Sequence, residues 1–281
     1  DQYRNVLLQN MDKLIDVGLI IGDDGKYYFH NFANDLQWPN IEGKHLRSFP
    51  NAEFLRKYGI IHQSTESMKN KNQVEKLFAV FFEPEKIATE EDYKKLFASQ
   101  LEGIVPELKK IGLEFRDGKY YFYNLWARGE WPKIEGKHLR NFPNAEFLRK
   151  YGIIDQNAWY IYGNSQVEKL FAVLLGAEKI ATEEDYKKLF ASQLEGLIPE
   201  LEKVGLEFRA GKYYFHNLWT REKWPKIEEK NLASFPNAEF LRKHGILEKH
   251  QQAMTNIKQL AKLFYVLGFP IDEQLLEENE K

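Results

Sequence analysis

The side chains of this chain that are able to catalyse or coordinate are seven histidines, several paired carboxylates and recurring lysines and arginines. A metal site or a histidine base needs imidazoles at a fixed helical spacing with a carboxylate beside them. The chain repeats itself with a period of 93 residues, and no histidine is present in all three copies. His30 falls opposite Tyr123 and His216, His45 and His138 opposite Asn231, His62 opposite Asp155 and Glu248, and His244 opposite Tyr58 and Tyr151; His250 stands alone. The acid pairs Glu90-Glu91 and Glu183-Glu184 directly follow Thr89 and Thr182. Carboxylates placed there complement a helix N-terminus rather than converge on a cleft. The absence of cysteine removes thiol nucleophiles, disulfides and thiolate metal sites. No glycine-rich phosphate loop and no nucleophile elbow occurs. The expectation is a protein that is not an enzyme and holds no cofactor and no metal.

What recurs is a set of groups that bind. Phe-Pro-Asn-Ala-Glu-Phe-Leu-Arg-Lys stands unchanged at 49–57, 142–150 and 235–243. Trp-Pro recurs at Trp38, Trp131 and Trp224, and Gly-Lys-Tyr-Tyr-Phe at Gly25, Gly118 and Gly211. The candidate binding groups shared by every copy are Lys26, Lys119 and Lys212; Trp38, Trp131 and Trp224; Lys44, Lys137 and Lys230; Arg56, Arg149 and Arg242; and Lys57, Lys150 and Lys243. Glu53, Glu146 and Glu239 precede the last three lysines by four residues, the spacing of a helical ion pair. From Arg116 to Lys150, and again from Arg209 to Lys243, eight basic residues face four acidic ones, against five and five from Gly22 to Lys57. Tyr120, Tyr121, Trp126 and Trp131 interleave with the first of these stretches, a pattern able to stack bases and touch phosphates. The same pattern also arises when aromatics build a small core and lysines solvate its surface.

The chain as a whole has 281 residues, 40 Lys+Arg against 42 Asp+Glu, and 43% hydrophobic residues. That is an ordinary globular composition, and its near-neutrality speaks against binding energy drawn from phosphate neutralisation over the whole surface. No apolar run approaches the ~20 residues that cross a bilayer, and no leader pattern opens the chain. An intracellular protein of cytoplasm or nucleus is therefore expected, with a protein partner or copies of itself, nucleic acid as the alternative partner, and no membrane. A period of 93 is long for a solenoid and matches a small domain. Units are expected at 1–84, 85–177 and 178–281, the first cut out of phase and the last ending in an acidic tail.

Each unit must place these groups on a few short elements. In the middle unit Thr89 caps a helix carrying Tyr93, Leu96 and Phe97, and a second helix runs from about Leu101 to Ile111, where Gly112 ends it. Asp117-Gly118 marks a hairpin. The stretch with Trp126 and Trp131 reads as irregular, Pro143 as the opening of a short helix through Tyr151, and Ser165 as the cap of a last helix stopped by Gly176. Across the repeat boundary the order is helix 167–175, short strand 178–181, helix 182–191, helix 194–204 and hairpin 207–215.

That order, ending on Ile198-Pro199-Glu200-Leu201-Glu202-Lys203-Val204-Gly205-Leu206, resembles the winged-helix family over about half of each unit. The resemblance implies a three-helix core with a hairpin wing and nucleic-acid binding, with Lys119, Arg149, Lys150, Lys212, Arg242 and Lys243 on phosphates. Pro106 and Pro199, and acids such as Glu107, Glu200 and Glu202, depart from what a groove-reading helix requires. The expected fold class is α+β, mainly α: three tandem 93-residue helix-rich repeats, each with a winged-helix-like β-hairpin. The expected function is a non-enzymatic tandem-repeat scaffold that presents one surface three times for multivalent protein interaction or self-assembly. Winged-helix-like nucleic-acid binding from the basic stretches near the hairpin is the alternative.

Overall fold

In the computed structural model, which describes residues 1–125, 130–218 and 220–277, the chain is mixed α+β. Thirteen α-helices and six two-stranded antiparallel hairpins form among the described residues. Trp126 and residues 278–281 of the acidic tail lie outside them. The described residues fall into two compact units, Asp1–Glu102 and Gly103–Lys281. No helix among the described residues is long and apolar enough to cross a membrane.

The first unit begins with α1 (Gln2–Gln9) and α2 (Met11–Asp16). A hairpin of β1 (Ile20–Ile21) and β2 (Tyr27–Tyr28) follows, then a smaller one of β3 (Asn40–Ile41) and β4 (Lys44–His45). Next come α3 (Ala52–Lys57), α4 (Lys71–Phe81) and α5 (Glu90–Gly103). Its core gathers Leu7, Leu14, Phe29, Trp38, Leu46, Leu55, Phe78 and their neighbours. Thr89 and Asp92 bond reciprocally at the start of α5, and the Tyr93 hydroxyl accepts the Phe29 N–H at 2.8 Å. The helix is thereby seated on the end of the first hairpin.

The second unit carries α6 (Val105–Lys110), β5 (Glu114–Arg116), β6 (Lys119–Tyr121), β7 (Lys133–Ile134), β8 (Lys137–His138), α7 (Ala145–Lys150) and α8 (Asn164–Leu175). It continues with α9 (Glu183–Glu195), α10 (Ile198–Lys203), β9 (Glu207–Arg209), β10 (Lys212–Tyr214), β11 (Lys226–Ile227) and β12 (Lys230–Asn231). It closes with α11 (Ala238–Lys243), α12 (Ile257–Val266) and α13 (Gln274–Glu277). Asp117 and Gly118 turn β5 into β6 at φ 49° and 78°, as the Asp-Gly pair implies. Gly112 and Gly205 have φ of 118° and 116°, and a Cβ there would lie 2.0 and 2.1 Å from the carbonyl oxygens of Asn124 and Asn217. Only glycine lets the helix pair pass this close to the loop after the hairpin.

The element joining this unit together is α9. Thr182 and Asp185 cap it reciprocally, and the Tyr186 hydroxyl accepts the Phe122 N–H at 2.9 Å. One residue of α9, Phe190, is 1% exposed, with its ring 5.1 Å from Tyr123, 5.8 Å from Phe235 and 5.0 Å from Phe240. The hairpin of one sequence copy and the helical corner of the next therefore pack on the same helix.

Several local expectations change. The helix from Glu90 runs to Gly103, and the next begins only at Val105, with Pro106 in its first turn, where its missing N–H costs nothing. Pro199 does the same in α10. The strand expected at 178–181 is a 3-10 turn, Ala177–Lys179, followed by a single bridging residue. That residue, Ile180, pairs in parallel with Tyr120 of the hairpin before it, not with β9–β10 after it. The irregular stretch holds a second hairpin, β7–β8, turned by Glu135-Gly136 at φ 47° and 80°. Pro143 precedes the helix; Asn144 is the cap, accepting the Phe147 N–H at 2.9 Å. Ser165 lies inside α8, whose N-cap is Gly163.

Candidate functional site

The repeated nine-residue segment forms the same corner three times. Asn51, Asn144 and Asn237 cap α3, α7 and α11, each accepting a backbone N–H at 2.9 Å. The arginine Nε of Arg56, Arg149 and Arg242 donates to the carbonyls of Thr65, Ala158 and Gln251 at 3.0, 2.9 and 3.2 Å, tying down the loop that follows. Lys57 and Lys150 lie 5.7 and 5.8 Å over the rings of Tyr58 and Tyr151. Lys243 takes a different partner from the expected i, i+4 glutamate: it pairs with Glu183 of α9.

The tryptophans of the three Trp-Pro pairs belong to the core, with Trp38, Trp131 and Trp224 only 3–4% exposed. Trp38 Nε1 donates inward to the Ala33 carbonyl at 2.7 Å. The hairpin lysines differ in their partners. Lys26 pairs with Asp92 at 2.8 Å and Lys119 with Asp185 at 2.6 Å, each acid being the residue that bonds back to the capping threonine of a following helix. Lys212 has no ion-pair partner among the described residues, and the position 93 beyond Asp185 is Glu278. Lys44 is exposed, while Lys230 Nζ donates to Asn124 Oδ1 at 2.6 Å; Lys137, after the second Trp-Pro, is also engaged. The candidate cations thus have local roles that differ from copy to copy.

A different set of side chains comes together. In the second unit the start of α8, the side of α9 and the start of α11 enclose an open groove of about 370 Å³. Its apolar wall is Phe122, Tyr123, Tyr186, Phe190 and Phe240, and its charged rim is Glu168, Glu183, Glu239 and Lys243. Both Glu183 oxygens are engaged, one by Lys243 Nζ and the other by His244 Nε2 at 2.6 Å. The Lys243 hydrogen bond in particular holds the Glu183 carboxyl below its ordinary range. Glu168 is pushed the other way, first by burial and then by the nearby Glu239 carboxylate, with Lys243 acting against both. Neither Glu168 nor Glu239 has a hydrogen-bond or ion-pair partner among the described residues. Ring faces and carboxylates together attract a cation, and Lys243 already places one ammonium at this rim.

Sequence reasoning named Glu183 only as a helix-start acid and Glu239 only as a pairing partner, and it passed over Glu168. The signal available was that Glu168, Glu183, Glu239 and Lys243 all have the same residue type 93 positions earlier, at Glu75, Glu90, Glu146 and Lys150. Among the described residues no group of three His, Asp or Glu side chains is placed to hold a metal ion. Comparison with protein-family models, with curated proteins and with solved structures finds no match.

Proposed function

We propose that the chain is a non-enzymatic binding protein built of three tandem 93-residue α+β repeats, which engages a protein partner multivalently. The observation that carries this reading is the groove on α9, whose unpaired Glu168 and Glu239 and ring walls suit a lysine or arginine side chain of the partner. Support for repetition comes from the corners at α3, α7 and α11, which share cap, clamp and sequence. Self-assembly is the form this takes if the partner is another copy of the chain. The nucleic-acid alternative built on the hairpin loses Lys26 and Lys119, whose charges are met by Asp92 and Asp185. The winged-helix version of the repeat also loses its short strand, since Ile180 bridges backwards to Tyr120.

The test is titration of the full chain with a fluorescein-labelled oligolysine peptide at low salt. Glu168→Gln should weaken binding by about tenfold, the loss of one partly buried charge pair, and Glu239→Gln, exposed at the rim, by about two- to fivefold, while Glu184→Gln, an exposed acid of α9 outside the groove lining, should leave it unchanged. Affinity should rise as pH is raised through the Glu168 pKa, which lies above its ordinary 4.5. Absence of binding, or an equal loss in all three variants, would defeat the groove reading. Light scattering across concentration reads self-assembly separately.

A further inference from the structure

The loop after α7 is where the middle sequence copy departs from the other two around an unchanged arginine. The residue following the clamped carbonyl lies against the guanidinium in each copy. In the first copy it is Glu66, which forms an ion pair with Arg56. In the third it is Gln252, whose Oε1 accepts from Arg242 at 3.1 Å. In the middle copy it is Trp159, whose ring lies 4.4 Å from Arg149 Cζ. An indole face neither neutralises a guanidinium nor saturates its donors, and this indole is 68% exposed.

Two further replacements extend the surface. Tyr160 stands where the other copies have Ser67 and Ala253, and Tyr162 where they have Lys69 and Thr255. The Tyr160 and Tyr162 rings are 4.5 Å apart, Arg140 lies 4.7 Å over Tyr160, and Tyr162 is half exposed. The loop is held from beneath: Ile161 is fully buried and its N–H donates to the Arg140 carbonyl at 2.7 Å, while the Tyr162 N–H donates to Gln166 Oε1 at 2.6 Å. Arg140 and Arg149 have no carboxylate partner among the described residues, and Asp155 is the only acid in residues 155–163. A fixed loop that exposes flat rings beside unneutralised guanidinium groups matches a ligand that is both planar and anionic.

We infer that this loop binds single-stranded nucleic acid, with bases stacked on Trp159 and Tyr162 and phosphates paired with Arg149 and Arg140. A proline-rich peptide would use the rings but leave the cations idle. This site is independent of the groove on α9. The test is fluorescence anisotropy of a labelled oligo(dT) of about ten nucleotides, within the ~4–16 that a stacking groove spans, titrated with the full chain at low salt. Binding should weaken steeply as salt rises, and Trp159→Gln should weaken it by about five- to a hundredfold, the range for removing one stacked base. Trp159→Gln installs the residue that the third copy carries beside the same arginine, so the loop keeps its support; Trp159→Tyr should restore most of the affinity. No binding at low salt, undiminished binding by Trp159→Gln, or a proline-rich peptide bound through Trp159 in place of oligo(dT) would overturn the inference.

Discussion

Replacing Phe190 by alanine tests whether two sequence copies share one packed joint. The side chain is 1% exposed and touches rings from the middle copy (Tyr123) and the third copy (Phe235 and Phe240). Emptying a buried phenylalanine site costs about 3–5 kcal/mol, part of it transfer free energy and part the cavity left behind. Each ring pair lost is worth ~0.5–1.5 kcal/mol and is already contained in that range. Against a typical stability of ~5–15 kcal/mol this is a large fraction. Hydrogen exchange read by mass spectrometry resolves where the loss falls. Peptides over 119–123, which span β6 and the two residues after it, and over 235–243, through α11, should lose protection together, by about 3–5 kcal/mol. Phe190→Leu should show the same pattern at about 1–2 kcal/mol. If the 235–243 peptides weaken while 119–123 keeps its protection, α9 belongs to one copy only and the reasoning fails.

Three other outcomes follow from single residues. Glu229 holds φ 67° where Gly43 and Gly136 stand at 80°, so Glu229→Gly should stabilise by about 0.5–1 kcal/mol, seen as a calorimetric rise of roughly 1–4 °C; a lower melting temperature would contradict this. Gly205→Ala forces a Cβ 2.1 Å from the Asn217 oxygen, and denaturant unfolding should record a loss of about 2–4 kcal/mol; less than 1 kcal/mol would show that the close approach relaxes. Lys26 donates to Asp92 and, together with the Thr89 N–H and hydroxyl, holds its carboxyl down from 3.8 to about 2. A depressed folded-state pKa gives stability that is present above the unfolded value and lost as pH falls from 3.8 towards 2. The drop is worth at most ~2.5 kcal/mol, and with Lys26 a quarter solvent-exposed about 1 kcal/mol is expected. Lys26→Met should therefore cost about that much at pH 7 and well under half as much at pH 2, where Asp92 is partly protonated; an equal cost at both would refute the pairing.

The parts legible in the sequence are those governed by local chemistry. Asp117-Gly118 announced its hairpin because both residues accept left-handed backbone, and Thr89 and Thr182 announced their helices because hydroxyl and acid cap reciprocally. The β7–β8 hairpin was not legible: its strands are two residues long, and glutamate at φ 47° is no common turn former. Nor was the bridge from Ile180 to Tyr120, since a single-residue pairing 60 positions apart leaves no periodicity to read. The groove escaped for the same reason. Glu168, Glu183 and Glu239 sit on three helices, and each alone has an ordinary local explanation.

Identity and departure among the copies carry different information. Within the unchanged nine residues the asparagine is a cap, the arginine a loop clamp and the leucine a core residue, while the glutamate and the last lysine are exposed. Those three roles are structural and mark no binding surface by themselves, whereas Glu239 and Lys243 of the same segment line the groove on α9. The position beside each clamp is not so constrained, because glutamate, tryptophan and glutamine all lie against the arginine, the first as an ion pair, the second as a ring contact and the third as a hydrogen bond. A site free of structural demand is where a repeated scaffold can differentiate its copies. The exposed indole at that position in the middle copy, where the other copies place the polar Glu66 and Gln252, is accordingly a pointer to a ligand that identity among the copies does not supply.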